Sequence, residues 1–291
     1  MTVCTETKSK IFCVPCGIGD ISWQYSKLKN IGQPIHLQIL DGFPRRSLPF
    51  VKLLPNVEFA EYVPSNFHDI LTWQKIHPAT TYQEIKDRAF GVEYLENNMH
   101  LLSGKRLEEW LPDLPTDFHY DMIIPQEDQE RAEFLWNKHE LGTGPIMAIS
   151  CASYRGSEAW NTWGVKPWME FLELVRKEVP EMKFVLIGGF WDDLTATIAD
   201  TGGFVDLVGK TNIGTCIELL KRIDYYVGFC SGLGVLRTVL SKKVFTLWPD
   251  IHESHIWSWV PPEMAEDGTY VGMLWREPED VFNRVKVWMR R

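Results

Sequence analysis

The chain has 291 residues, 45% of them hydrophobic and 24% charged, with a formal net charge of −9. That length allows two ordinary domains, and that balance excludes a disordered chain. The acidic excess argues against a surface that neutralises nucleic-acid phosphates, so no stable nucleic-acid binding is expected.

No apolar run approaches the length that spans a bilayer, so no transmembrane segment is expected. Met1 to Lys10 is polar and lacks the apolar stretch of a secretory signal. The six cysteines (Cys4, Cys13, Cys16, Cys151, Cys216, Cys230) are scattered, several in apolar strand-like contexts. Free thiols in a reducing cytoplasm fit that pattern.

Ile11 to Val14 is a short apolar strand that runs into Pro15-Cys16-Gly17-Ile18-Gly19-Asp20. Ile21, Tyr25 and Leu28 then fall at helical spacing. Strand, glycine turn and helix open a Rossmann-like unit, although the full G-x-G-x-x-G spacing is lacking. Asp20 reads either as a helix-start cap or as a carboxylate projecting from the top of the first strand. Cys13-x-x-Cys16 has redox spacing, but Cys13 falls inside the strand, and no second pair completes a zinc site. Ile35 to Leu40 is a second strand and Val57 to Val63 a third. Arg45 and Arg46 lie in a basic loop between them, as an acceptor contact or a solvated turn. Residues 64–118 carry Pro64, Pro78, Pro112 and Pro115 and read as acceptor-side loops and short helices. Met122 to Pro125 closes the first domain, with a charged helix over Glu127 to His139.

Leu141 to Pro145 is the best linker, which gives domains over 1–142 and 143–275. Ile146 to Ser150 opens a new strand–turn–helix series. In its long loop Ser150, Ser153, Tyr154 and Arg155 are candidates to hold phosphate oxygens. Trp168, Phe171, Leu172 and Val175 form a helix face. Phe184 to Ile187 is a strand that ends on Gly188 and Gly189. Asp192 and Asp193 follow as a ribose carboxylate or as helix-start acids. Val205 to Gly209 is the next strand, then the loop Lys210-Thr211-Asn212. Tyr225 to Phe229 runs into Cys230-Ser231-Gly232, after which Leu233, Leu236, Val239 and Leu240 are helically spaced. A strand that stops at Ser-Gly and restarts as a helix leaves backbone N–H groups free for an anion such as phosphate. Val244 to Trp248 closes the series. The repeat predicts a doubly wound parallel sheet. The tail, 276–291, is a helix with Val281, Val285 and Trp288 on one face, expected to pack back on the first domain.

In order and spacing these stretches resemble glycosyltransferase family 9, the ADP-heptose:lipopolysaccharide heptosyltransferases and their relatives. The residues that carry the likeness are Gly17-Ile18-Gly19-Asp20, Trp163 with Trp168 and Phe171, and Val185 to Gly189. Leu207 to Thr211 and Ser231-Gly232-Leu233 complete it. The match covers most of 146–250, but only the first turn of the first domain. The resemblance implies an α/β fold of GT-B architecture, two Rossmann-like doubly wound domains facing across a cleft. A nucleotide-diphosphate sugar would bind the C-terminal domain as co-substrate, and a saccharide, glycolipid or modified-base acceptor the N-terminal one. It further implies inverting transfer with no metal or other cofactor. Asp20 would be the general base, with Gly17, Gly19, Arg45 and Arg46 on the acceptor side. Gly188, Gly189, Asp192, Gly209, Lys210, Thr211, Ser231, Gly232 and Leu233 would lie on the donor side with the 150–155 loop.

Three family positions differ here. Cys230 and Val235 stand where the family has Asp and His in the donor loop, and Asn161 stands where it has Lys before the paired tryptophans. A different donor follows as an alternative. So do glycosylation of a modified DNA base or protein side chain, and a nucleotide-sugar-binding module without catalysis.

Overall fold

The computed structural model describes residues 10–14, 16–40, 45–63, 113–142, 144–152, 163–248 and 260–291. The chain forms two compact units, one of Met1–Thr116 with Asp121–Ile123, the other of Asp117–Tyr120 with Ile124–Arg291. The division falls near residue 120 and not at the glycine linker after 142. The reason is the helix Gln126–Lys138, whose Ala132 and Leu135 are buried in the second unit's packing.

In the first unit, β1 (Lys10–Val14), β2 (Ile35–Leu40) and β3 (Val57–Val63) form a parallel sheet in the order β1-β2-β3. Ile35, Leu37 and Ile39 alternate inward along β2, as period-two burial requires. Helix α1 (Ile18–Leu28) covers the sheet with Ile21, Tyr25 and Leu28, all buried at the predicted spacing. A short helix α2 (Ser47–Val51) precedes β3 and buries Phe50 and Val51.

The second unit begins with α3 (Gln126–Lys138) and holds six parallel strands. These are β4 (Ile146–Ser150), β5 (Lys183–Leu186), β6 (Val205–Asp206), β7 (Tyr225–Phe229), β8 (Val244–Trp248) and β9 (Tyr270–Leu274). Their order is β6-β5-β4-β7-β8-β9. The chain therefore builds outward on one side of β4 and then crosses to the other, so the topological switch lies between β4 and β7. The series does not close at Trp248, because β9 adds a further strand beside β8. The strand expected over 205–209 is shorter, since Asp206 Oδ1 accepts from the Val208 N–H at 3.0 Å and turns the chain away.

Helices α4 (Val165–Glu178), α5 (Asp193–Ala199), α6 (Ile213–Arg222), α7 (Gly232–Val239), α8 (Pro262–Glu266) and α9 (Pro278–Met289) complete the unit. Trp163, Trp168, Phe171 and Phe229 meet as an aromatic cluster with centroids 5.0–6.5 Å apart. The tryptophans noted in the sequence thus build core here. Helix α9 was expected to pack on the first domain. It packs instead on α4 of its own unit, and Val281, Val285 and Trp288 are spent in that unit's core. Arg237, fully buried in α7, donates to the carbonyls of Leu220, Ile223, Asp224 and Lys243. It ties the end of α6 to the turn before β8, a structural use of a cation.

Candidate functional site

Helices α5, α6 and α7 start after the carboxyl ends of β5, β6 and β7, and their first turns differ. At α5 the N-cap is Asp192. Its Oδ1 accepts from the Thr195 N–H at 3.0 Å and its Oδ2 from the Thr195 hydroxyl at 2.6 Å. The Cys151 N–H donates to that same hydroxyl at 2.9 Å. Asp192 is 6% exposed, and burial pushes its carboxyl up to about 6. Both oxygens are committed to the cap, which is the helix-start use of this residue.

At α6 the N-cap is Asn212, whose side-chain oxygen accepts from the Thr215 N–H at 2.8 Å. A carboxylate from elsewhere completes the end. Asp128 of α3 accepts from the Asn212 amide and, at 3.2 Å, from the Thr215 hydroxyl. Its second oxygen lies so close to Gly214 that a side chain there would collide with it. Helix α6 therefore carries an internal anion at its positive end. In the preceding loop, Gly209 N–H donates to Gly188 O and Lys210 N–H to Leu207 O, and the Lys210 ammonium pairs with Asp206. The amides of Gly209 and Lys210, expected to hold phosphate, are used within the fold. The aligned Thr211 stays part-exposed beside them.

Helix α7 starts differently. Its N-cap Ser231 has extended backbone (φ −151°, ψ 168°) and makes no side-chain cap hydrogen bond. The Val235 N–H closes the first turn on Ser231 O at 3.1 Å, and the N–H groups of Gly232, Leu233 and Gly234 find no acceptor among the described residues. Sequence reasoning missed Tyr226, which fixes this turn. Its buried hydroxyl lies 3.2 Å from Ser231 Oγ and hydrogen-bonds Ser150 at the end of β4. Ser150 is 2% exposed, so it acts as a strut between β4 and β7 rather than as a free phosphate donor. The only signal for Tyr226 in the sequence was a hydroxyl inside an apolar strand run. The α7 turn lies beside the switch between β4 and β7, where open α/β sheets bind ligands. Cys230 is 8% exposed and burial pushes its thiol up, so that position holds a neutral group. Ser153, Tyr154, Arg155 and Asn161 lie outside the described residues.

In the first unit, Gly17 is the N-cap of α1 and Asp20 lies in its first turn. The carboxylate folds back over Gly17, where a Cβ would collide with it. Gly19 is inside the helix. Burial pushes the Asp20 carboxyl up to about 6, partly offset by the Arg46 guanidinium. No hydrogen bond to that carboxylate is found among the described residues. Arg45 lies over the Tyr62 ring at 5.5 Å, and the Tyr62 hydroxyl accepts from the Ser47 and Leu48 amides. The Asp20 carboxyl is thus half-buried, raised to about 6, and without a described hydrogen-bond partner.

A constellation of another kind lies on the surface of the second unit. Ser241 Oγ is 2.8 Å from His119 Nδ1, and His119 Nε2 is 3.0 Å from Glu263. The amides of Ser241 and Lys242 are spent on Thr238 O and Arg237 O, so they cannot form an oxyanion hole. Among the described residues no helix is long and apolar enough to cross a membrane, and no three His, Cys, Asp or Glu side chains cluster as metal ligands.

No protein-family profile and no curated protein sequence matches the chain. Solved structures do. A glycosyl transferase family 9 protein from Veillonella parvula matches with a TM-score of 0.66 at 12% identity, over 97% of this chain and 97% of that one. The E. coli ADP-heptose lipopolysaccharide heptosyltransferase II matches with a TM-score of 0.61 at 13% identity, over 97% and 99%. The E. coli heptosyltransferase WaaC, solved with ADP, matches with a TM-score of 0.55 at 12% identity, over 97% and 99%. At such identities the likeness is one of fold, and the fold is the two-unit, Rossmann-like GT-B fold of these glycosyltransferases.

Proposed function

We propose that the protein is a glycosyltransferase that moves a sugar from a nucleoside-diphosphate donor to a hydroxyl of a saccharide or glycolipid acceptor. The observation that carries the reading is the contrast among the second unit's helix starts. Helices α5 and α6 hold internal side-chain caps, as α3, α4, α8 and α9 do not, and α7 keeps three amides without a described acceptor beside the strand switch. A diphosphate seated there meets the helix's positive end, which stabilises the charge that develops on the leaving group without a metal ion. The acceptor oxygen attacks the anomeric carbon as its proton passes to Asp20. The bond from that carbon to the phosphate oxygen breaks, and the nucleoside diphosphate departs. One displacement inverts the anomeric centre.

Further support comes from the raised Asp20 carboxyl and from the fold shared with proteins named as heptosyltransferases, one of them solved with ADP. The test is Asp20→Asn, assayed for transfer across ADP-, UDP- and GDP-sugars. Transfer falls by about 10²–10⁴-fold while nucleoside-diphosphate binding is retained. Unchanged turnover refutes the assignment. The neutral, buried Cys230 favours a second reading, a nucleotide-sugar-binding module without turnover. Donor hydrolysis without acceptor, followed as release of the nucleoside diphosphate, decides against it.

A further inference from the structure

The turn after β5 holds an aromatic ring out in water. Phe190 is 72% exposed, more than any other large apolar side chain among the described residues. Its backbone is nevertheless fixed from two sides. The Asp192 N–H donates to Gly189 O at 3.0 Å and closes the turn beneath it. The β6 loop clamps the turn through Gly209, whose N–H donates to Gly188 O at 2.9 Å. Gly209 has φ +66°, and a Cβ on it would lie 3.1 Å from Phe190 Cα, so only glycine lets the loop come this close. The Trp191 ring meets Phe190 edge to face, with centroids 4.9 Å apart at 81°. The backbone of this turn is held while the ring stays out of the core, so the ring is open to a ligand.

The sheet says what that surface can reach. Only β4 separates β5 from β7, so at about 4.8 Å per strand their carboxyl ends lie about 10 Å apart. One end of that span is the amide cluster of α7, and the other is the Phe190 turn. A nucleotide with its phosphates on the amides extends its base over roughly this distance. Gly188, Gly189 and Gly209, placed on the donor side by the resemblance, then serve to present the ring.

We propose that Phe190 is the stacking platform for the donor's nucleobase. The inference rests on the reading of α7 as a diphosphate site. Stacking uses the face that every base possesses, so the platform contributes affinity without choosing among bases.

The experiment is calorimetric titration of the full chain with ADP, UDP, GDP and CDP, with inorganic pyrophosphate as the probe that lacks a base. The wild type binds each nucleotide more tightly than pyrophosphate. Phe190→Ala weakens all four nucleotides by about tenfold and leaves pyrophosphate unchanged. Phe190→Tyr restores nucleotide affinity. Nucleotide binding untouched by Phe190→Ala overturns the platform and leaves the diphosphate site standing. Equal weakening of nucleotide and pyrophosphate overturns it too, because the substitution has then disturbed the turn. A wild type that binds pyrophosphate as tightly as any nucleotide has no base platform. One that binds neither takes the diphosphate reading down with it.

Discussion

At the start of α6 the carboxylate of Asp128 lies against Gly214 and accepts from Asn212 and Thr215. At the start of α7 the cap makes no side-chain hydrogen bond, and Ser231 is braced from behind by Tyr226. Both helices follow a strand and a small-residue turn, and both begin with glycine in the first turn. What separates them is a carboxylate delivered from 84 residues earlier in the chain. A helix start is an anion site only where the protein has not already supplied the anion. Of this pair, one helix start is closed for stability and the other is left open.

Closing the open one is the most disruptive way to break this contrast. Ser231→Asp places a carboxylate at an N-cap whose backbone is already extended, as capping requires. The new charge occupies the place of the diphosphate. Affinity for ADP and for pyrophosphate is expected to fall about a hundredfold or more, with a urea midpoint no lower than wild type. Undiminished pyrophosphate binding in this variant shows that the ligand does not use α7.

Opening the closed one has a smaller effect of the other kind. Asp128→Ala leaves the Asn212 amide and the buried Thr215 hydroxyl without their acceptor. Urea unfolding is expected to show a loss of about 1–3 kcal/mol, with ADP affinity unchanged. Gly214→Ala sharpens the point. Alanine at an ordinary helix position improves stability, but here its methyl meets the Asp128 carboxylate, so the substitution costs stability in the wild type and becomes favourable in the Asp128→Ala background. Additive effects of the two substitutions would mean that the carboxylate does not sit against Gly214.

The sequence made the local parts of this picture legible. Strands β4, β5, β7 and β8 show as apolar runs, and the turn after β7 shows as Ser-Gly before a helical pattern. Those signals depend on neighbours a few residues apart. Asp128 reads only as an acid in a helix's first turn, because its partners come from the far side of the unit. The domain boundary was misplaced for the same reason: α3 is bound to its unit by packing on α6, while the glycine linker after it is only a local break. The pairing of Lys210 with Asp206 is legible as well, four residues apart, and it makes a lysine expected on the donor side part of an internal ion pair. Strand β9 follows a stretch without a helical pattern, so the alternation that revealed the other strands did not mark it.

Asp20 and Asp192 make a finer comparison, because burial pushes both carboxyls up to about 6. A raised carboxyl is protonated below that value, so the base form of Asp20 is lost as pH falls through about 6. Transfer, as kcat/KM, is expected to drop about tenfold per pH unit below it. The sign for stability is opposite. Between the ordinary carboxyl value of 3.8 and about 6, the folded state binds more protons than the unfolded state, so stability falls as pH rises through that window. Asp20→Asn is therefore expected to raise the urea midpoint at pH 7 while removing activity. A lower midpoint would mean that the ionised carboxylate stabilises the fold.

Burial raises Asp192 as far, but it has a different place in the fold. Its oxygens are held by the Thr195 amide and hydroxyl, and no part of transfer is assigned to it. Asp192→Asn keeps an acceptor for the Thr195 N–H, removes a carboxyl whose ionisation burial opposes, and is expected to raise the urea midpoint at pH 7 as Asp20→Asn does, while leaving transfer unchanged. Asp192→Ala removes the cap and is expected to cost about 1 kcal/mol in urea unfolding. Neither substitution should move the acid limb of the transfer profile, because that limb belongs to Asp20. If the limb shifts with Asp192→Asn and not with substitutions beside Asp20, the two carboxyls have been given each other's roles, and the base lies in the second unit.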